Sequence, residues 1–193
     1  MIYKETYRDL CHGTDIESAE KIKEDGFELR GDDTSWCGKG VYFYDIKNKA
    51  WWAAARHCDN IRNETGKKIK PTVLFADVVD INKSRVFDLR VYKDLCSFES
   101  YINDVFGEYV FELDDNISAE EKQIVMRAIM IDFYSKKNNK QLVVGCFRQR
   151  SQPIYNHAIE FANRLELVFG VEIIYCVKDT SIISNIRQGG VKE

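Results

Sequence analysis

The chain has 193 residues, 45% of them hydrophobic, which is enough to bury a core unaided and suits one domain expected over residues 1–193. A formal net charge of -3 excludes a globally basic nucleic-acid binder. The amino terminus is charged and no apolar run approaches the ~18 residues of a membrane span, so the expectation is no secretory signal, no membrane and a cytoplasmic location.

In chain order, residues 2–11 mix Tyr, Ile and Leu with charges and read as a strand. It enters the polar turn His12-Gly13-Thr14, where Thr14 and Glu17 have capping-box spacing; Ile16, Ala19 and Ile22 then recur at helical intervals until Gly26. Residues 28–37 are polar and suit a surface loop placed to pass over a bound ligand. Gly38-Lys39-Gly40 leads into Val41-Tyr42-Phe43-Tyr44, a short strand, after which Ala50, Trp51, Ala54, Ala55, Cys58 and Ile61 share one helical face.

Beyond a lysine-rich loop, residues 71–79 read as a central strand, 85–89 as a short companion and 92–107 as a helix. Ser118 and Glu121 form a second capping box, opening an amphipathic helix through Ile124, Ala128 and Phe133. Residues 141–147 are an apolar strand, 154–168 a helix after Pro153, and 171–178 the last strand, followed by a short tail. Strands and helices mix without regular β-α-β alternation, which predicts an α+β fold, and no G-x-G-x-x-G fingerprint supports a Rossmann-type site. The six cysteines are spread without a C-x-x-C pair and read as reduced thiols; Cys37, His57 and Cys58 are discounted as a zinc site, because adjacent residues on a helix point apart.

The glycines around Lys39 stand out. Glycine weakens a strand or helix interior, so a pair of them ahead of three consecutive aromatics marks backbone that bends or approaches a ligand closely, and a flat ligand suits that surface. Packing alone is not expected to explain them.

Taken in this order, His12-Gly13-Thr14, the helix closed by Gly26-Phe27, Gly38-Lys39-Gly40-Val41-Tyr42-Phe43 and Lys49-Ala50-Trp51-Trp52 resemble the poly(ADP-ribose) polymerase-like ADP-ribosyltransferases over residues 7–55. The resemblance implies an ADP-ribosyltransferase fold, a split antiparallel β-sandwich with flanking helices and an NAD cleft between its halves. It also implies NAD as substrate and transfer of ADP-ribose to a macromolecular acceptor, protein or nucleic acid, with release of nicotinamide. A stand-alone catalytic unit of this kind is similar to bacterial or phage-related toxins and defence effectors, which implies an antitoxin or immunity protein as a further partner. Two readings stand beside it: an NAD glycohydrolase, with water as acceptor, and a non-catalytic module that binds NAD or ADP-ribose.

Carried onto this chain, the resemblance makes His12 a donor to the adenosine ribose and Gly13 a backbone partner of the nicotinamide carboxamide. Thr14 and Gly40 complete the cleft and Tyr42 stands on the nicotinamide side. The family's serine and second tyrosine fall on Ala50 and Ala53, both departures, and Trp52 is assigned as the substitute stacking ring. A late strand headed by a glutamate resembles Glu172-Ile173-Ile174-Tyr175, so the catalytic set is His12, Tyr42 and Glu172, the H-Y-E type, with no metal. Chemically, nicotinamide leaves as a neutral base, and a carboxylate beside the ribose stabilises the oxocarbenium-like cation left behind. Ordinary readings remain for each: a helix-opening histidine, a core tyrosine and an exposed first residue of a strand. Glu160 and Glu166 on the preceding helix rank below Glu172, and Gln149 and Gln152 are candidate acceptor contacts.

Overall fold

The computed structural model describes residues 3–29, 35–108, 118–148 and 171–191. Strand β1 (Lys4–Asp15) runs directly into helix α1 (Ile16–Asp25), followed by β2 (Val41–Tyr44), α2 (Lys47–Thr65), β3 (Pro71–Asn82) and β4 (Val86–Asp88). Helices α3 (Tyr92–Glu108) and α4 (Ala119–Lys137) lead to β5 (Leu142–Arg148), β6 (Val171–Val177) and β7 (Ile183–Val191). The predicted helix at 154–168 lies outside the described residues, as do Gln149, Gln152, Glu160, Glu166 and part of the predicted loop, residues 30–34.

Local chemistry explains the boundaries. Helix α1 is capped by Asp15, whose carboxylate accepts the Ser18 amide at 2.9 Å. The expected Thr14 cap is therefore corrected: Thr14 is still strand, paired with Thr72. Helix α2 stops at Gly66, left-handed at φ 72°, whose amide bonds the Arg62 carbonyl. Helix α4 opens with the complete capping box predicted at Ser118 and Glu121. The expected tail after the last strand is also corrected, because residues 183–191 form β7 along the free edge of β3.

The strands form one sheet in the order β4-β5-β6-β2-β1-β3-β7. Five of its pairings are antiparallel, but β4 and β5 are parallel, so the sheet is mixed where an antiparallel one was expected. The reason is topological: α3 and α4 carry the chain back across the sheet, and a crossover returns it in the same direction. At the middle, β1 and β2 share the single register pair Cys11↔Tyr44, whereas β1 follows β3 over nearly its whole length.

That joint lets the halves face one another. One core cluster draws Leu10, Ala76, Val78 and Ile81 from the β1-β3-β7 half and Phe43, Leu142, Val144 and Val177 from the other. Across it, the Tyr7 and Tyr175 rings stand 5.4 Å apart although β2 separates their strands in the sheet. Burying a Phe43 or Ile81 side chain completely contributes about 1.5–3 kcal/mol each, so the facing halves hold the fold. Helix α2 covers the outer face of β1 and β3 through Ala50, Ala54 and Cys58 at i, i+4, i+8. The outer face of the other half is covered by Ile131 and Tyr134 of α4, packed with Phe87, Val143 and Cys176. Among the described residues, no helix is long and apolar enough to cross a membrane.

Candidate functional site

Beyond Cys11↔Tyr44 the two central strands part. On one edge, residues 12–15 of β1 stay paired with residues 71–74 of β3. On the other, the His12 ring reaches across the gap, its Nδ1 2.8 Å from the Tyr42 carbonyl. A carbonyl only accepts, so Nδ1 carries the proton and Nε2 is the acceptor nitrogen of the neutral ring. Phe27, just past the end of α1, packs edge-on against that imidazole at 5.0 Å and fixes its plane.

The parted strands enclose a cavity of about 420 Å³, a size that suits a small-molecule ligand. His12, Gly13, Thr14, Gly40 and Tyr42, separated by some thirty positions in the chain, all line it. Helix α1 supplies one wall and His57 of α2 another.

Packing dictates both turn glycines, contrary to the expectation from sequence. Gly38 has φ 75°, and a Cβ there would stand 2.3 Å from the Asp132 carboxylate of α4. On Gly40 it would meet Cys176 Sγ at 2.4 Å and the Val177 carbonyl at 2.8 Å. Asp132 approaches because it accepts the Lys39 amide at 2.9 Å, and Lys178 ties the turn from β6's end by donating to the Cys37 and Lys39 carbonyls and to Asp132. Gly13 has a similar origin, since a Cβ there would fall 1.9 Å from the Ala50 carbonyl oxygen. Ala50 is thus fully buried, and its small side chain lets α2 lie on β1.

Tyr42 lines the cavity and packs its side chain against Cys37, Phe87 and Cys176, while its hydroxyl accepts from the Cys37 amide at 3.0 Å and donates to the Gly38 carbonyl. Burial, with Cys176 and Cys37 beside it, pushes this phenol far above its ordinary range, so it serves as a neutral hydrogen-bonding group.

Three residues assigned to the site stand elsewhere, and the first, Ala50, is buried against Cys11 and Val73, outside the cavity lining. Trp52 is half exposed and carries the Arg56 guanidinium over its ring at 5.4 Å, away from the cavity lining. Glu172 is 8% exposed and pairs across the sheet with Phe147, two residues before the Ile174↔Tyr44 pair. It shares a sheet face with Tyr42 and Tyr44, but four residue positions, about 13 Å of strand, separate its level from that of Tyr42. Its charge is felt by Tyr44, whose phenol burial and Glu172 together push up to about 12.

The sequence, for its part, does not announce the Asp15–His57 pair at the cavity wall. His57 Nε2 lies 3.2 Å from the Asp15 carboxylate, which is almost fully buried. Burial alone would raise the Asp15 carboxyl, but hydrogen bonds from Ser18 and His57 outweigh it and the net shift is downward. The available signal was Asp15's position directly after His12-Gly13-Thr14. Among the described residues, no group of three or more His, Cys, Asp or Glu side chains is placed to hold a metal ion.

The chain is similar to an uncharacterized protein of Methanocaldococcus jannaschii, 27% identical over 92% of this chain and 85% of that protein. No protein-family model and no solved structure matches it.

Proposed function

We propose that the cavity between β1 and β2 binds NAD and that the protein transfers ADP-ribose from it to a protein or nucleic-acid acceptor, releasing nicotinamide. The observation that carries this reading is the gathering of His12, Gly13, Thr14, Gly40 and Tyr42 on the walls of one cavity at the parting of the central strands. Two half-sheets that share a core and are joined at one register pair support it further, in line with the split sandwich the sequence resemblance implies. His12 Nε2 accepts from a hydroxyl of the adenosine ribose, in place of the donor role that the resemblance implies, the Gly13 backbone faces the carboxamide, and Tyr42 bounds the nicotinamide side.

In the reaction, the bond between the ribose C1′ and the nicotinamide nitrogen breaks with its electron pair leaving on nicotinamide. A bond from C1′ to the acceptor forms, and the acceptor's proton passes to a carboxylate. Glu172 is assigned that carboxylate role because it shares a face with Tyr42 and is buried. Its stand-off along β6 favours a second reading, binding of NAD or ADP-ribose without transfer; water as acceptor gives the glycohydrolase variant of the first. As an effector, the protein would be held in check by an antitoxin or immunity protein.

Incubation of the purified protein with labelled NAD and a cell extract tests the proposal. Label that survives nuclease but not protease identifies a protein acceptor, and the reverse a nucleic acid. Free ADP-ribose without labelled macromolecule identifies the hydrolase. Glu172→Gln should bind NAD and lose transfer; full activity in that variant refutes its role. Binding with neither labelling nor nicotinamide release establishes the second reading.

A further inference from the structure

We infer that His57, oriented by Asp15, is the contact in this cavity for a phosphate of the dinucleotide's pyrophosphate bridge, an assignment that rests on the NAD reading above. Three observations meet here. First, the imidazole lines the same cavity as His12 and Tyr42 while remaining 44% exposed, so it is presented to a ligand and is not packed away. Second, Asp15 cannot leave: one carboxylate oxygen caps α1 through Ser18 and the other faces His57 Nε2, which therefore donates to it. A carboxylate so placed fixes the ring plane and directs Nδ1 away from itself, where a proton on it donates to a ligand oxygen. Third, Lys21 of α1 lines the same cavity and adds a positive charge.

Among the described residues, the other ionisable residues lining this cavity are His12, Asp25, Glu28 and Tyr42. His12 is engaged through Nδ1 with the Tyr42 carbonyl and the Tyr42 hydroxyl with the Cys37–Gly38 turn, while Asp25 and Glu28 repel an anion. Among the described residues, the donors offered to a phosphate are thus His57 and Lys21. With a ribose at His12, a phosphate at the His57 wall places the adenosine half along β1 and α1 and leaves the Tyr42 side of the cavity for the nicotinamide half.

The test is calorimetric binding of NAD, ADP and adenosine to the full chain, wild type against His57→Ala and Asp15→Asn, with circular dichroism and unfolding midpoints confirming that each variant is folded. Loss of a charge-assisted hydrogen bond predicts that His57→Ala weakens NAD and ADP by roughly 10- to 100-fold and leaves adenosine unchanged. Asparagine caps helices well, so Asp15→Asn keeps α1 but loosens the His57 ring, and it weakens NAD and ADP while leaving adenosine unchanged. Wild-type NAD binding that is indifferent to His57→Ala overturns this inference alone. His57-dependent binding of ADP without any binding of NAD leaves the phosphate contact standing and overturns the NAD reading, and binding of none of the three ligands overturns both.

Discussion

Replacing Lys178 by Met tests whether the Gly38-Lys39-Gly40 turn is held by the ion pair beneath it. The lysine Nζ donates to Asp132 at 2.6 Å, to the Lys39 carbonyl at 2.7 Å and to the Cys37 carbonyl at 2.5 Å, and its side chain is only 10% exposed. Methionine preserves the stem's packing and removes all three donors. Breaking a buried pair by deleting one partner costs about 3–5 kcal/mol, but Asp132 is 32% exposed and water recovers part of that loss. The expected cost is therefore about 2–3 kcal/mol, which for a domain of this size lowers Tm by roughly 5–10 °C. Thermal unfolding of Lys178→Met, Asp132→Asn and the double variant gives a complete cycle, with a coupling of about 1–2 kcal/mol between neighbours in one network. Under the proposed NAD reading, affinity of Lys178→Met for NAD should fall as well, because Gly40 and Tyr42 ride on that turn. A drop in Tm below about 2 °C, or strictly additive single effects, would show that the turn stands without its support and refute the reasoning.

Gly13→Ala should cost far more than Gly26→Ala, because the first places a methyl against the Ala50 backbone while the second meets open space and strains only φ at 83°; urea midpoints of the two variants decide it. The Asp77 carboxyl is held low by hydrogen bonds from Asn185 and the Asp9 amide, against a burial effect of opposite sign, with Arg187 adding to the lowering. A folded-state value depressed below the ordinary 3.8 contributes stability that is present above that pH and lost as pH falls through the folded-state value, so Asp77→Asn should flatten the acid limb of the stability–pH curve. Burial pushes the thiols of Cys11, Cys37, Cys58 and Cys176 up, so brief alkylation of the native protein read by mass spectrometry should modify Cys96 and Cys146 first.

What could be read in advance was whatever depends on short-range chemistry. The Ser118–Glu121 box, the helix stop at Gly26 and the short strand from Val41 to Tyr44 need only neighbours, and each took its expected place. The cavity residues from His12 to Tyr42 were legible as motifs, and their meeting follows from a strand junction that no local pattern encodes. The Asp132 and Lys178 supports were invisible because they join a turn to positions roughly a hundred residues away, and the same distance hid the packing reason for Gly38. Strand β7 escaped notice because Arg187-Gln188-Gly189 has no strand-like run; its extended form comes from pairing along the edge of β3. Trp52 was assigned by shifting an alignment one position, and on a helix one position is about 100° of rotation, which carries the ring from the sheet to the outer surface.

The junction between β1 and β2 also bears on how the chain reaches this structure. Each half-sheet is assembled from early and late segments: β2 waits for β6, and β3 waits for β7. Neither half is therefore a unit that an emerging nascent chain can finish by itself. Until residues 171–191 leave the ribosome, β2 and β3 each present an unpaired edge, with loop closures spanning more than a hundred residues still to be made, the kind of topology that folds slowly and draws on chaperones.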